Sequence, residues 1–152
     1  TVDPLVARND RVIDDAEFTP SRGRLRPGEA LMFYTDGVIE SADRDLDVIC
    51  SAFADDAVYH NVPVAPIEGI AGIRAIFQAF LEAFAEAKLD IVTLAAEPGL
   101  VLAERVDYFT MNDGRKVVLP VNGVFEVRDG KITRFSDYFD LADFEKQSGF
   151  KL

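Results

Sequence analysis

The sequence predicts an α+β domain: a strongly curved mixed, mainly antiparallel sheet with helices before and after it. Three observations carry that expectation. One segment repeats apolar residues at helical spacing, four strand-like runs follow it in succession, and Asp-Gly pairs separate the later runs.

Taken in order, residues 1–28 end in "TPSRGRLRPG" and show no apolar period, so they are expected to form an irregular N-terminal extension. Residues 29–152 are expected to form a single domain. "DLDVICSAFADDAVYHNVP" predicts a short helix around Val48 to Phe53, then a strand from Ala57 to Val62 closed by Pro63. "GIRAIFQAFLEAFAEAK" is the clearest helix, because Ile73, Ile76, Phe77, Phe80, Leu81 and Phe84 follow i, i+3, i+4, i+7 spacing. Glu82 and Glu86 lie off that stripe. The runs "LDIVTLAA", "LVLAERVDYFT", "RKVVLPVNGVFEV" and "KITRFSDYFD" predict strands, and "LADFEKQ" a closing helix. Asp113-Gly114 and Asp129-Gly130 mark hairpins. Pro120 and Gly123, in the middle of a run, predict a bulge or bend and hence strong sheet curvature.

Composition narrows the function. With 152 residues, 49% of them apolar, 12 Phe and no Trp, the chain can bury its own core. A net charge of -11 opposes binding to nucleic acid and to anionic membranes, and suits a neutral or cationic small ligand. Cys50 is the sole cysteine, which excludes an intrachain disulfide and a cysteine-based metal site. With no long apolar span and no leader-like core in "TVDPLVARNDRVIDD", the expected location is cytoplasmic. The sequence starts at Thr1 rather than Met, consistent with a further segment upstream.

Strand alternation then exposes an oddity. On "LVLAERVDYFT" it puts Arg105 and Asp107 on one face with Val101, Ala103 and Phe109. On the last strand Thr133, Phe135, Asp137 and Phe139 share a face, and on the first Ala57, Tyr59 and Asn61 do. A lone Arg-x-Asp is most often a solvated pair contributing under about 1 kcal/mol. Polar groups on three inward faces are harder to dismiss, since a plain core would use Val or Leu there. If these faces meet, they form an apolar cavity with two carboxylates, a guanidinium, a phenol and an amide, the usual make-up of a small-molecule site. His60, the single histidine, points the other way, so a histidine relay or zinc site has little support. No phosphate loop or dinucleotide fingerprint is present; the glycines of "GIAGI" permit a tight helix entry instead.

In order and spacing, "YHNVP" at 59–63, "ERVDYF" at 104–109 and "ITRFSDYFDLADFEK" at 132–146 resemble the limonene-1,2-epoxide hydrolases. That family belongs to the SnoaL-like, ketosteroid-isomerase-like proteins. The resemblance runs from about Asp45 to the C-terminus. It implies a cystatin-like cone, with N-terminal helices packed into the concave face of the sheet. It further implies that Arg105 bridges Asp107 and Asp137, and that Tyr59 and Asn61 fix a water beside Asp137. Asp137 would act as general base and protonated Asp107 as general acid, opening a small hydrophobic epoxide to a vicinal diol. No cofactor, no metal and no covalent intermediate are implied, and the protein is expected to be a homodimer. Phe135 stands where the family usually has Trp and Ser136 where it often has Arg, departures that bear on substrate size.

Residues 25–45, "LRPGEALMFYTDGVIESADRD", separately resemble a segment of metal-dependent serine/threonine phosphatases in which the Asp of "YTDG" binds a metal ion. That chemistry needs further carboxylates from distant strands, which Asp36 alone cannot replace, so residues 29–42 are expected to supply a first helix. Two other functions share the cone. An isomerase or polyketide cyclase would set an Asp base against a carbonyl-polarising pair and need no Arg-bridged dyad. A binding module would hold a hydrophobic ligand without chemistry.

Overall fold

A computed structural model describes residues 45–152. The elements run α1 (Leu46–Ser51), β1 (Phe53–Asn61), β2 (Ile67–Glu68), α2 (Ile70–Ala83), β3 (Phe84–Glu97), β4 (Leu100–Met111), β5 (Lys116–Arg128), β6 (Lys131–Tyr138) and α3 (Leu141–Ser148). The expected N-terminal extension, the expected helix over 29–42 and the "YTDG" segment lie outside the described residues.

All six strands form one sheet in the order β2-β1-β6-β5-β4-β3. From β3 to β6 the chain is the antiparallel meander that the turn signals predict. Asp129 and Gly130 both take positive φ, 54° and 76°, as a type I′ hairpin turn demands. β1 instead lies parallel to β6, which sets Tyr59 opposite Phe135 and Asn61 opposite Asp137. The sheet is therefore mixed and mainly antiparallel, as expected.

Several boundaries differ from the sequence reading. The short helix starts at Leu46, where the Asp45 side chain accepts the backbone N–H groups of Asp47 and Val48. It ends at Ser51, and β1 begins at Phe53 because that ring packs on Phe77 and Phe135. Val62 and Pro63 lie beyond β1. α2 stops at Ala83, and Phe84 opens β3 rather than continuing the helical stripe. Phe84 is buried in either conformation, stacked on Phe80 at 5.6 Å and Phe109 at 4.6 Å, so apolar spacing alone could not locate the switch. β2 is a two-residue edge strand with no period to read.

Pro120 and Gly123 do not mark a bulge. The β4–β5 register runs unbroken from Leu100↔Glu126 to Thr110↔Lys116, and the irregularities fall at Phe53/Val58 in β1, at Phe84/Glu86 and Ile91/Thr93 in β3, and at Glu126/Val127 in β5. Proline is tolerated for a local reason. Val118 turns its N–H and C=O to the Gln147 side chain of α3, and a residue two positions on sends its N side the same way. The nitrogen of Pro120 thus points past the end of β6, whose pairing with β5 stops at Asn122↔Tyr138, and no ladder bond is lost.

Two apolar clusters hold the domain. α1 and α2 deliver Ile49, Ile73 and Phe77 onto Val101, Ala103, Phe125 and Phe135. α3 delivers Phe144 onto Phe84, Met111 and Leu119. Along the inner face of β4 the order is Val101 and Ala103 in the first cluster, then Arg105 and Asp107, then Phe109 and Met111 in the second. The charged pair sits between two greasy masses. Phe125 is 1% exposed and stacks on Phe135 at 4.2 Å between ring centroids. Replacing it with Ala is expected to cost about 3–5 kcal/mol, read from urea unfolding midpoints.

Candidate active site

Arg105, Asp107 and Asp137 are 2%, 4% and 6% exposed, a depth at which an unpaired charge would cost several kcal/mol. They are paired. Arg105 Nε donates to Asp107 Oδ1 at 2.8 Å and its Nη2 donates to Asp107 Oδ2 at 3.1 Å. The same Nη2 donates to Asp137 Oδ2 at 2.7 Å. Phe135 lies beneath the guanidinium, its centroid 5.8 Å from Cζ, close enough for a cation–π contribution. Nearby, the Tyr59 hydroxyl donates to Asn61 Oδ1 at 3.0 Å.

All five polar residues singled out from the sequence line one cavity of about 100 Å³. Its walls are apolar, drawn from α2 (Phe77, Phe80, Leu81), β5 (Leu119, Val121) and the C-terminal segment (Phe139, Phe144, Leu152). Sequence reasoning did not foresee the part played by that segment. His60 is turned away, its Nε2 2.9 Å from the carbonyl of Val64, and is not among the lining residues. Ser136 also faces away, accepting from Arg134 Nη1 at 3.3 Å, so of the two departures from the family pattern only Phe135 touches the cavity.

Gly123 explains how the guanidinium fits. It stands on β5 between Ala103 of β4 and Asp137 of β6. A Cβ there would come within 2.5 Å of Arg105 Nη1, 2.9 Å of Phe125 Cε2 and 3.1 Å of Asp137 Oδ1. The mid-strand glycine was legible as a signal, but its meaning is close approach of a side chain, not a bend.

Electrostatics in this pocket follow from burial. Desolvation pushes the Asp107 carboxyl up to about 6; the Arg105 guanidinium pulls the other way, and the charge on Asp137 adds to the rise. Asp137 is also raised by burial, with Arg105 opposing. Two carboxyls both raised by burial and sharing one cation titrate as a coupled pair. Burial works against the Arg105 charge, yet Asp137 and then Asp107 outweigh it and hold the guanidinium ionised. Burial and then the Asp137 charge lift the Tyr59 phenol above its ordinary range, so it remains a donor. Among the described residues, two buried side-chain polar atoms have no protein partner, Arg105 Nη1 and Asp137 Oδ1.

Comparison with known proteins first defines the class. A protein of ketosteroid-isomerase-like fold from Catenulispora acidiphila superposes with a TM-score of 0.69 at 18% identity, over 83% of this chain and 96% of its own. That likeness shows the cone fold. The family is defined more closely by sequence: the limonene-1,2-epoxide hydrolase catalytic domain matches residues 37–149. Epoxide hydrolase EphG of Mycobacterium tuberculosis is 35% identical over 104 residues, 68% of each chain. The structure of an LEH-like epoxide hydrolase from M. tuberculosis superposes with a TM-score of 0.66 at 30% identity, covering 78% of this chain and 85% of its own. The chain belongs to the limonene-1,2-epoxide hydrolase family.

Because Arg105 passes over Gly123, Gly123→Ala is expected to destabilise the fold by about 1–3 kcal/mol through overpacking. Loosening the guanidinium also removes the influence that lowers the Asp107 pKa. Carboxyl-carbon NMR should therefore find Asp107 titrating further above about 6 in the variant than in the parent.

Proposed function

We propose that the protein is an epoxide hydrolase that opens a small hydrophobic epoxide, terpene- or cycloalkene-like, to a vicinal diol in one step. The observation that carries this reading is the guanidinium bridging two buried carboxylates in an apolar cavity. Asp137 is the general base: its Oδ1 has no protein partner and can take a proton from water. Asn61, opposite Asp137 in register, and Tyr59, bonded to Asn61, orient that water. The water oxygen attacks one ring carbon, the C–O bond to that carbon breaks, and protonated Asp107 delivers its proton to the departing oxygen. The diol leaves with Asp137 protonated and Asp107 ionised. One proton passing from Asp137 to Asp107 by way of solvent restores the starting state.

Arg105 orients both carboxylates and balances the charge that moves between them. The apolar walls match a hydrocarbon-like substrate. No helix among the described residues is long and apolar enough to cross a membrane, in keeping with a substrate met in solution. A homodimer forms part of the same reading, supported by the exposed Leu102, Tyr108, Val118 and Tyr138 on the outer face of the sheet; light scattering on purified protein tests it.

Asp107→Asn and Asp137→Asn are each expected to lower diol formation at least about 10²-fold, with circular dichroism unchanged. A single turnover in ¹⁸O-labelled water should place the label in the diol. Label appearing in a protein carboxylate instead would overturn direct attack by water, and full turnover in either Asn variant would overturn the assigned roles.

The pH dependence has a definite sign. Asp107 must hold its proton, so kcat/KM for the free enzyme should fall as pH rises through about 6, approaching tenfold per pH unit beyond it. Asp137 must lose its proton, so the rate should also fall on the acid side. The two limbs report the dyad as a coupled pair.

A further inference from the structure

β6 stops short of the strand it pairs with. The β5–β6 ladder ends at Asn122↔Tyr138, and two residues along the same edge stands Pro120, which has no N–H to offer. At Val118 the edge of β5 is closed by a side chain instead of a strand. Gln147 of α3 accepts from the Val118 N–H through Oε1 at 2.9 Å and donates through Nε2 to the Val118 carbonyl at 3.1 Å. Nε2 also donates to Asp143 Oδ2 at 2.7 Å, one helical turn back. That third bond fixes which way round the carboxamide sits, since a flipped amide would turn its oxygen toward both the carbonyl and the carboxylate. Gln147 thus ties α3 to β5 as a ladder would tie a strand.

The helix held in this way walls the cavity. Phe144, three residues before Gln147, is buried in the cluster with Phe84 and Leu119. Leu119 follows the clamped Val118 and is the residue opposite Asp107 on β4, so clamp, wall and carboxyl share one stretch of sheet. Beyond Gln147, Gly149 turns the chain at φ 66° and Leu152 returns to the same cavity. We propose that Gln147 is a positioning residue for the ring-opening reaction, its clamp on Val118 holding α3 and the chain beyond it against the cavity so that water is kept from Asp107. The consequence for turnover rests on the epoxide-hydrolase reading; the consequence for Asp107 itself does not. Val118 is exposed, so water can take over its two polar groups when the clamp is lost, and the loss loosens α3 more than it weakens the sheet. The ionisable groups around Asp107 are Arg105 on its own strand, Asp137 on β6, Tyr59 on β1 and, on β3, the exposed Glu86 that Thr110 bonds. Among the described residues, α1, α2, α3 and β5 line the cavity with apolar side chains alone.

The test uses Gln147→Met, which keeps the length and drops all three bonds, and Gln147→Glu, which keeps the shape but cannot donate to the Val118 carbonyl and repels Asp143. In both, amide hydrogen exchange should speed about tenfold or more over residues 141–148, with the β5–β6 amides protected as in the parent. Carboxyl-carbon NMR should find Asp107 titrating at least about half a pH unit below the parent value of about 6, because water readmitted to the cavity removes part of the desolvation that raises it. The falling limb of kcat/KM should move to lower pH by the same amount. An α3 protected as in the parent, an equal loss of protection across the whole sheet, or an Asp107 titration that does not move would overturn the proposal. The NMR titration needs no turnover. If Asp107 shifts while the limb of kcat/KM stays, the epoxide reading fails and the role given to Gln147 stands.

Discussion

Arg105 has to reach across a strand. It starts on β4, and its second carboxylate starts on β6, with β5 between them. At about 4.8 Å per strand the gap is close to 10 Å at the backbone, which an arginine side chain can bridge only by running low over the middle strand. Any side chain on β5 in that row would block it, and the row is held by Gly123. Much of the remaining site geometry depends on this crossing. The parallel pairing of β1 and β6 sets Asn61 beside Asp137, and Asp137 is oriented by the guanidinium that Gly123 admits.

A buried Arg bridging two Asp is a weak way to stabilise a protein, because desolvation offsets much of the Coulomb gain and a well-packed apolar replacement is often as good or better. This one is not even fully satisfied. Arg105 Nη1 and Asp137 Oδ1 lack protein partners, and half-satisfied buried networks are costlier than apolar cores. A purely structural role does not account for an arrangement that leaves an acceptor unused on one carboxylate and a proton held by the other. Under the proposed mechanism both features are used, the acceptor toward water and the proton toward the leaving oxygen.

Much of this was legible in the sequence because β-strands impose a period of two. Arg105 with Asp107, Tyr59 with Asn61, and Asp137 beside Phe135 could each be assigned to an inward face without coordinates, and all five line the cavity. Where the period was broken or ambiguous, the reading failed. Phe84 satisfies a helical stripe and a buried strand equally well, so the end of α2 was misplaced, and Glu86 was put on a helix when it belongs to a bulged strand. Gly123 announced that something unusual happens on β5, yet only the position of Arg105 reveals which of a glycine's several uses applies. The walls supplied by Phe139, Phe144 and Leu152 depend on how α3 folds back, and no local pattern encodes that.

The proton on Asp107 is a property of the cavity more than of its partner. Arg105 lowers the affinity of Asp107 for a proton; burial raises it, and burial is the larger effect. With one proton the triad is neutral, whereas losing it leaves a net charge of -1 enclosed by Phe, Leu and Val side chains. The aromatic and aliphatic walls therefore do two things at once. They shape a space for an apolar molecule, and by excluding water they keep an acid protonated to about pH 6, where an exposed aspartate would long since have ionised. A bound apolar substrate would remove still more water from around the carboxyl. On the proposed mechanism, binding itself would then strengthen the hold of Asp107 on the proton that the ring opening consumes.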